Sequence, residues 1–175
     1  MQHSIQSIFP TPIYISNINR PYTKQELEFV NQQKKFCVIN EGNTTTKNNY
    51  ILKTKELKNI NKFLEQHCEN YLQKVICPKN NVKLYITQSW LNYTNKDQYH
   101  HKHEHPNSII SGVLYFNSDI QNDKILFTTS KGYEQIAPKT DDKKYNFWNS
   151  KTWFFPVKTG ELYLFPSSTT HQVET

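Results

Sequence analysis

Between Thr54 and Ile76 the apolar positions Leu57, Ile60, Leu64, Cys68, Tyr71 and Val75 recur three and four residues apart, and Phe63, His67 and Leu72 widen the stripe. That spacing is the period of a helix with one buried face, so it predicts an amphipathic helix covering one side of a sheet. A shorter helix is predicted in "TKQELEFVNQQKK", where Thr23 stands three residues before Glu26 in a capping-box pattern. Upstream, "SIFPTPIYISNI" combines apolar residues with two prolines and predicts an opening edge strand. The polar stretch "EGNTTTKNNY" predicts a loop. Past "CPKNN" the pattern changes to short β-rich runs separated by turn residues: "VKLYITQSWLNYT", "SIISGVLYFN", "KILFTTS", "KYNFW", "TWFFPV" and "GELYLFP". Helices first and strands afterwards predict a mainly β protein, a barrel or sandwich backed by N-terminal α-helices. The expected organisation is one domain over 1–175, with helical support over about 22–76 and a β core over about 82–175.

Composition changes this picture little. Aromatic residues make up 14% of the chain, which favours sheet and argues against disorder. The formal charge of +6 would suit a nucleic-acid partner, but the cations are scattered lysines and Arg20 is the only arginine, so the pattern argues against a nucleic-acid reader. Nineteen Asn, twenty Lys and a single Ala (Ala137) point to an AT-rich genome, such as that of a phage or an AT-rich bacterium, which raises Lys without functional pressure. Cys37, Cys68 and Cys77 show neither a zinc spacing nor an even count. With no signal-like N-terminus and no run of about 18–20 apolar residues, the expectation is a cytoplasmic protein (host cytoplasm if phage-encoded) with no membrane partner.

Candidate chemistry concentrates in "YHHKHEHPN", which holds four of the seven histidines. On an extended strand His101, His103 and His105 share one face, while His100, Lys102 and Glu104 share the other. Two imidazoles from one strand can share a metal ion, and His171, after the strand in "GELYLFPSSTTHQVE", can supply a third. Such a set leaves open positions on one side of the metal, as a non-haem Fe(II) oxygenase requires. The competing reading is a solvated His-rich loop with incidental metal affinity.

The stretches "SWLNYTNKDQYHHKHEHPNSIISGVLYFN" and "FPVKTGELYLFPSSTTHQVE" resemble the 2-oxoglutarate/Fe(II)-dependent oxygenase superfamily, in particular a branch found in phages and marine bacteria and related to prolyl 4-hydroxylases. The matching positions are Trp90, His103, His105, Pro106, Ser111, Gly112, Val113 and Tyr115, then Pro156, Gly160, Phe165, Pro166, Ser167, His171 and Val173. The resemblance implies a double-stranded β-helix core (jelly-roll, cupin-like), Fe(II) as cofactor, and 2-oxoglutarate and O2 as cosubstrates. It implies a dioxygenase, a hydroxylase of an unidentified peptide or small molecule. His103, His105 and His171 would be the metal ligands, with His101 and His103 as the alternative pair. Tyr93, Tyr115 and Asn92 match positions that line the 2-oxoglutarate pocket.

Two departures from the family pattern stand out. The superfamily places a carboxylate after His-x, whereas this chain has His103-Glu104-His105, and alternation turns Glu104 away from His103. Three imidazoles leave the full metal charge uncompensated. Relatives also carry a basic residue on the strand after the last histidine, and the sequence ends four residues past His171. The expectation is a longer natural chain, with Lys124, at the start of "KILFTT", as the alternative anchor for 2-oxoglutarate. A cupin is disfavoured because Ile109 and Ile110 stand where its carboxylate would be. The serious rival is a catalytically silent β-jelly-roll metal-binding or virion-associated interaction protein.

Overall fold

The computed structural model describes residues 2–129 and 139–174. The described chain runs β1 (Tyr14–Asn17), α1 (Lys24–Gln33), β2 (Cys37–Ile39), β3 (Thr44–Thr46), α2 (Lys58–Tyr71), β4 (Asn92–Tyr93), β5 (Tyr99–His103), β6 (Ile110–Leu114), β7 (Lys124–Thr128), β8 (Thr152–Pro156), β9 (Glu161–Pro166) and β10 (Thr170–Glu174). The strands form three antiparallel sheets, ordered β1-β9-β6, β5-β10-β7-β8 and β2-β3-β4. The fold is therefore mainly β with two α-helices among the described residues, as the residue pattern predicts.

Strand β9 shows why the two larger sheets stack. Its Tyr163 and Phe165 pack with Ile125 and Phe127 of β7 and with Val157, in the core between the sheets. Its Leu162 and Leu164 point the other way and pack with Tyr71, Phe63 and Leu64 of α2. A strand covered on both faces reads as the unbroken apolar run "LYLF" rather than an alternation. Helix α2 thus covers the outer face of the β1-β9-β6 sheet. His67 reinforces that docking, with its ring nitrogens 2.6 Å from the Tyr14 hydroxyl and 3.3 Å from Ser16 Oγ on β1. The edge position predicted for β1 is observed.

The capping box is also observed. Thr23 Oγ1 accepts from the Glu26 N–H and Glu26 accepts from the Thr23 N–H. The expected long helix is subdivided: a 3-10 turn (Lys55–Leu57), then α2, then a wide turn over Leu72–Ile76 closed by Cys77 in the left-handed region. Val75 lies in that wide turn and is 39% exposed, so the stripe ends before it.

Three local expectations are corrected. In "VKLYITQSWLNYT" only β4 is a strand; Tyr85 is 81% exposed, so its β-favouring residues find no surface to pack on. The "loop" EGNTTTKNNY contains β3, held between β2 and β4, with the buried Thr46 hydroxyl accepting from Leu91 N–H and donating to the Asn48 carbonyl. "KYNFW" forms no strand: it follows a 3-10 turn capped by Asp141, and Asn146 and Asn149 bond nearby backbone groups instead. No helix among the described residues is long and apolar enough to cross a membrane.

Candidate metal centre

Strands β5 and β10 are neighbours, and His103 lies directly opposite His171 in their register. Facing residues in an antiparallel pair share a side of the sheet, so the two imidazoles meet with ring centroids 4.3 Å apart. His105 lies just past β5 and is held by the β9–β10 turn, where its N–H donates to the Ser167 carbonyl at 3.0 Å. That turn is fixed in its own right: the Ser167 N–H donates to the Ile109 carbonyl at 3.1 Å, and the Ser111 and Ser167 hydroxyls lie 2.8 Å apart. The Ser-Gly-Val and Phe-Pro-Ser segments therefore set the position of His105 relative to His171.

One ligand atom from each of His103, His105 and His171 lies within 4.8 Å of the others, so a small closure would bring all three to an ion. Donors about 2.1 Å from one ion lie roughly 3–4 Å apart. Two of the imidazoles are already oriented. His103 Nδ1 donates to the His101 carbonyl at 2.7 Å and His171 Nδ1 donates to the Thr169 carbonyl at 3.0 Å. A carbonyl can only accept, so both Nδ1 atoms carry hydrogen and both Nε2 atoms keep a lone pair.

The surroundings keep these rings neutral. His171 is 3% exposed, with the Phe165 ring 4.6 Å and the Phe127 ring 6.5 Å away, while Trp90 stands 5.7 Å from His105. Burial pushes the His171 pKa down to about 4, against its backbone hydrogen bond, and lowers those of His103 and His105. Neutral imidazole is the form that ligates metal. Three imidazoles suit Fe, Zn, Cu or Ni in the divalent state.

The other candidates separate. Glu104 accepts a hydrogen bond from the Thr170 hydroxyl and is not in the triad. Asn92 stays close, its amide nitrogen 3.4 Å from His100 Nδ1. Tyr93 does not: its hydroxyl donates to the Val30 carbonyl at 2.6 Å and its ring packs in the cluster beneath α1. Tyr115 packs in the inter-sheet cluster whose Phe127 and Phe165 contact His171, and its buried hydroxyl has no hydrogen-bond partner among the described residues. Lys124 is placed away from His171. It faces Glu174 across β7–β10, on the side opposite His171 and Phe127, and its ammonium lies 3.2 Å from the Glu174 carboxylate. That alternation argues against Lys124 as the cosubstrate anchor.

The expectation that His100 faces away from the column is corrected. Two residues separate His100 from His103, but only one separates Val173 from His171 opposite them. The extra residue is a β-bulge, and it brings His100 round to within 4.4 Å of the His103 ring. Simple alternation cannot anticipate a bulge, and the only trace of it in the sequence is the crowding of His100 against His101.

A protein-family model described as "Putative 2OG-Fe(II) oxygenase" matches residues 88–175, the segment that carries every histidine of this cluster. No curated protein matches the chain.

Proposed function

Since the chain belongs to the 2OG-Fe(II) oxygenase family, which uses Fe(II) and 2-oxoglutarate (2OG), we propose that it is a dioxygenase whose facial ligand set is His103, His105 and His171. The observation that carries this reading is the convergence of three neutral imidazoles, His171 buried and His103 and His105 half-buried, from β10, β5 and the segment after β5, two with their Nε2 lone pairs free. With Fe(II), 2OG and O2 bound, such a centre couples oxidative decarboxylation of 2OG to hydroxylation of a C–H bond.

The chain's own groups fit that role. The backbone carbonyls of His101 and Thr169 hold two ligands in one tautomer. Phe127, Phe165 and Trp90 exclude water from one side of the site. The Tyr115 hydroxyl, buried without a partner, can donate to a carboxylate of the cosubstrate, and Asn92 borders the cluster from β4. An unpartnered buried hydroxyl is costly, and a polar ligand removes that cost. The substrate class proposed is a peptide or small molecule.

The two stacked sheets are consistent with a double-stranded β-helix, which together with the helical layer would form a single domain over 1–175. The rival, a catalytically silent metal-binding jelly-roll, is separated by one experiment. Anaerobic addition of Fe(II) and 2OG should produce a metal-to-ligand charge-transfer absorption, and admitting O2 should release succinate. Iron binding with neither signal would sink the oxygenase reading in favour of the silent one.

A further inference from the structure

The bulge in β5 assembles a second trio. One ligand atom from each of His100, His101 and His103 also lies within 4.8 Å of the others. The rings of His100 and His101 stand 5.2 Å apart, and those of His101 and His103 4.9 Å apart. His101 Nδ1 is buried with no hydrogen-bond partner among the described residues, so this trio holds a polar atom that the protein leaves unsatisfied. His100 and His101 also line a surface groove of about 410 Å³, together with Glu41, Lys102, Gln172 and Glu174. The trio of His103, His105 and His171 shares only His103 with this second trio, and none of its three members lines the groove.

We infer that His100, His101 and His103 form a second, groove-side seat for a divalent metal ion, and that the ion reaches the inner triad through it. This rests on the inner triad being a metal site. His103 belongs to both trios, and its Nδ1 is committed to the His101 carbonyl. A neutral imidazole then has one lone pair left, and one lone pair binds one ion. The two seats are therefore mutually exclusive: filling the inner one takes His103 from the outer one. An ion captured at His100 and His101 exchanges those nitrogens, one at a time, for His105 and His171 while His103 remains bound. Each exchange swaps one neutral donor for another, so no charge, proton or electron moves. The charges at the groove, Glu41 and Glu174 against Lys102 and the Lys124 partner of Glu174, balance, so the imidazole lone pairs are what draw a cation there.

Co(II) binding to the full chain tests this, read by its visible ligand-field spectrum and by metal analysis, with circular dichroism checking the fold. The wild type should bind one ion at saturation. The inner-depleted His105→Ala/His171→Ala protein should still bind one ion, at least about tenfold more weakly and with a different spectrum. The His100→Ala/His101→Ala protein should keep the wild-type spectrum and stoichiometry but load at least about tenfold more slowly in stopped flow. His103→Ala should weaken both seats. Should the alanine pair fail to fold, His105→Gln/His171→Gln repeats the measurement with larger side chains. No Co(II) on a folded inner-depleted protein, two ions on the wild type, or unchanged loading of His100→Ala/His101→Ala would each overturn the inference. Loss of the ion in His100→Ala/His101→Ala with retention in His105→Ala/His171→Ala would instead place the failure in the inner triad.

Discussion

Two polar constellations in this molecule are built on opposite principles. Around Glu26 the protein completes itself. The buried carboxylate receives the two terminal Arg20 guanidinium nitrogens, at 2.6 and 2.8 Å, and the Thr23 N–H at 2.7 Å, so a charged group that loses water regains three hydrogen bonds. Around His171 the protein stops short. Five imidazoles make up the two trios and no carboxylate belongs to either, while His101 Nδ1 and, in the inter-sheet core, the Tyr115 hydroxyl are buried without partners among the described residues. A buried polar group left unsatisfied costs about 1–3 kcal/mol. The first arrangement is what a structural joint needs, and the second suits the metal site proposed for it.

The comparison breaks most sharply at the histidines. His103→Ala should weaken Fe(II) binding by more than about a hundredfold, read by anaerobic equilibrium titration, while thermal stability of the metal-free protein changes little. If stability collapsed instead and metal affinity held, the cluster would be a structural joint like the first. Glu26→Ala should do the reverse. It strands Arg20 and removes half of the capping box, costing about 2–3 kcal/mol after allowance for the one-third exposure of the Arg20 side chain. Urea denaturation measures that loss, and iron affinity should not change.

Acidification separates the two regions by pH window. The His171 pKa falls from the ordinary 6.5 to about 4, and that of His100 to about 3, because burial disfavours the charged ring. Their folded values lie below their unfolded ones, so this contribution is fully present above pH 6.5 and drains away as pH falls toward 4. The Glu26 carboxyl is also held below its ordinary value, chiefly by hydrogen bonding to Arg20, so its contribution persists lower and is lost only below about pH 4.5. Denaturation midpoints of the metal-free protein should therefore decline in two stages. His171→Gln should flatten the upper stage and Glu26→Gln the lower. The smallest effect expected is Thr23→Ala, at about 1 kcal/mol from the lost cap, measured in the same denaturation series.

Much of this was legible from residues alone, for local reasons. The helix stripe from Leu57 to Tyr71 and the Thr23–Glu26 cap are written within a few positions of each other, and both are observed. The histidine column at 101, 103 and 105 follows from strand alternation, and the structure leaves all three partly buried with successive rings 4.9 and 4.8 Å apart. Where reading failed, the deciding partner lay far along the chain. Thr44 to Thr46 read as loop because β2 and β4, which pair with it, cannot be seen locally. Tyr85 and its neighbours read as strand because their residue types suit a sheet that never forms over them.

The amino-acid sequence by itself determined which side chains could ligate a metal, both helices and most strands other than β2 and β3, and the family pattern from Trp90 to Val173. These depend on residue chemistry and on short-range periodicity. Only the tertiary structure decided which of the imidazoles meet. The pairing of His103 with His171 spans most of the β region, the Ser111–Ser167 contact sets His105 beside them, and one extra residue in β5 turns His100 inward. Register and bulges are settled by the packing of whole sheets, in which a shift of one residue would move a side chain to the opposite face.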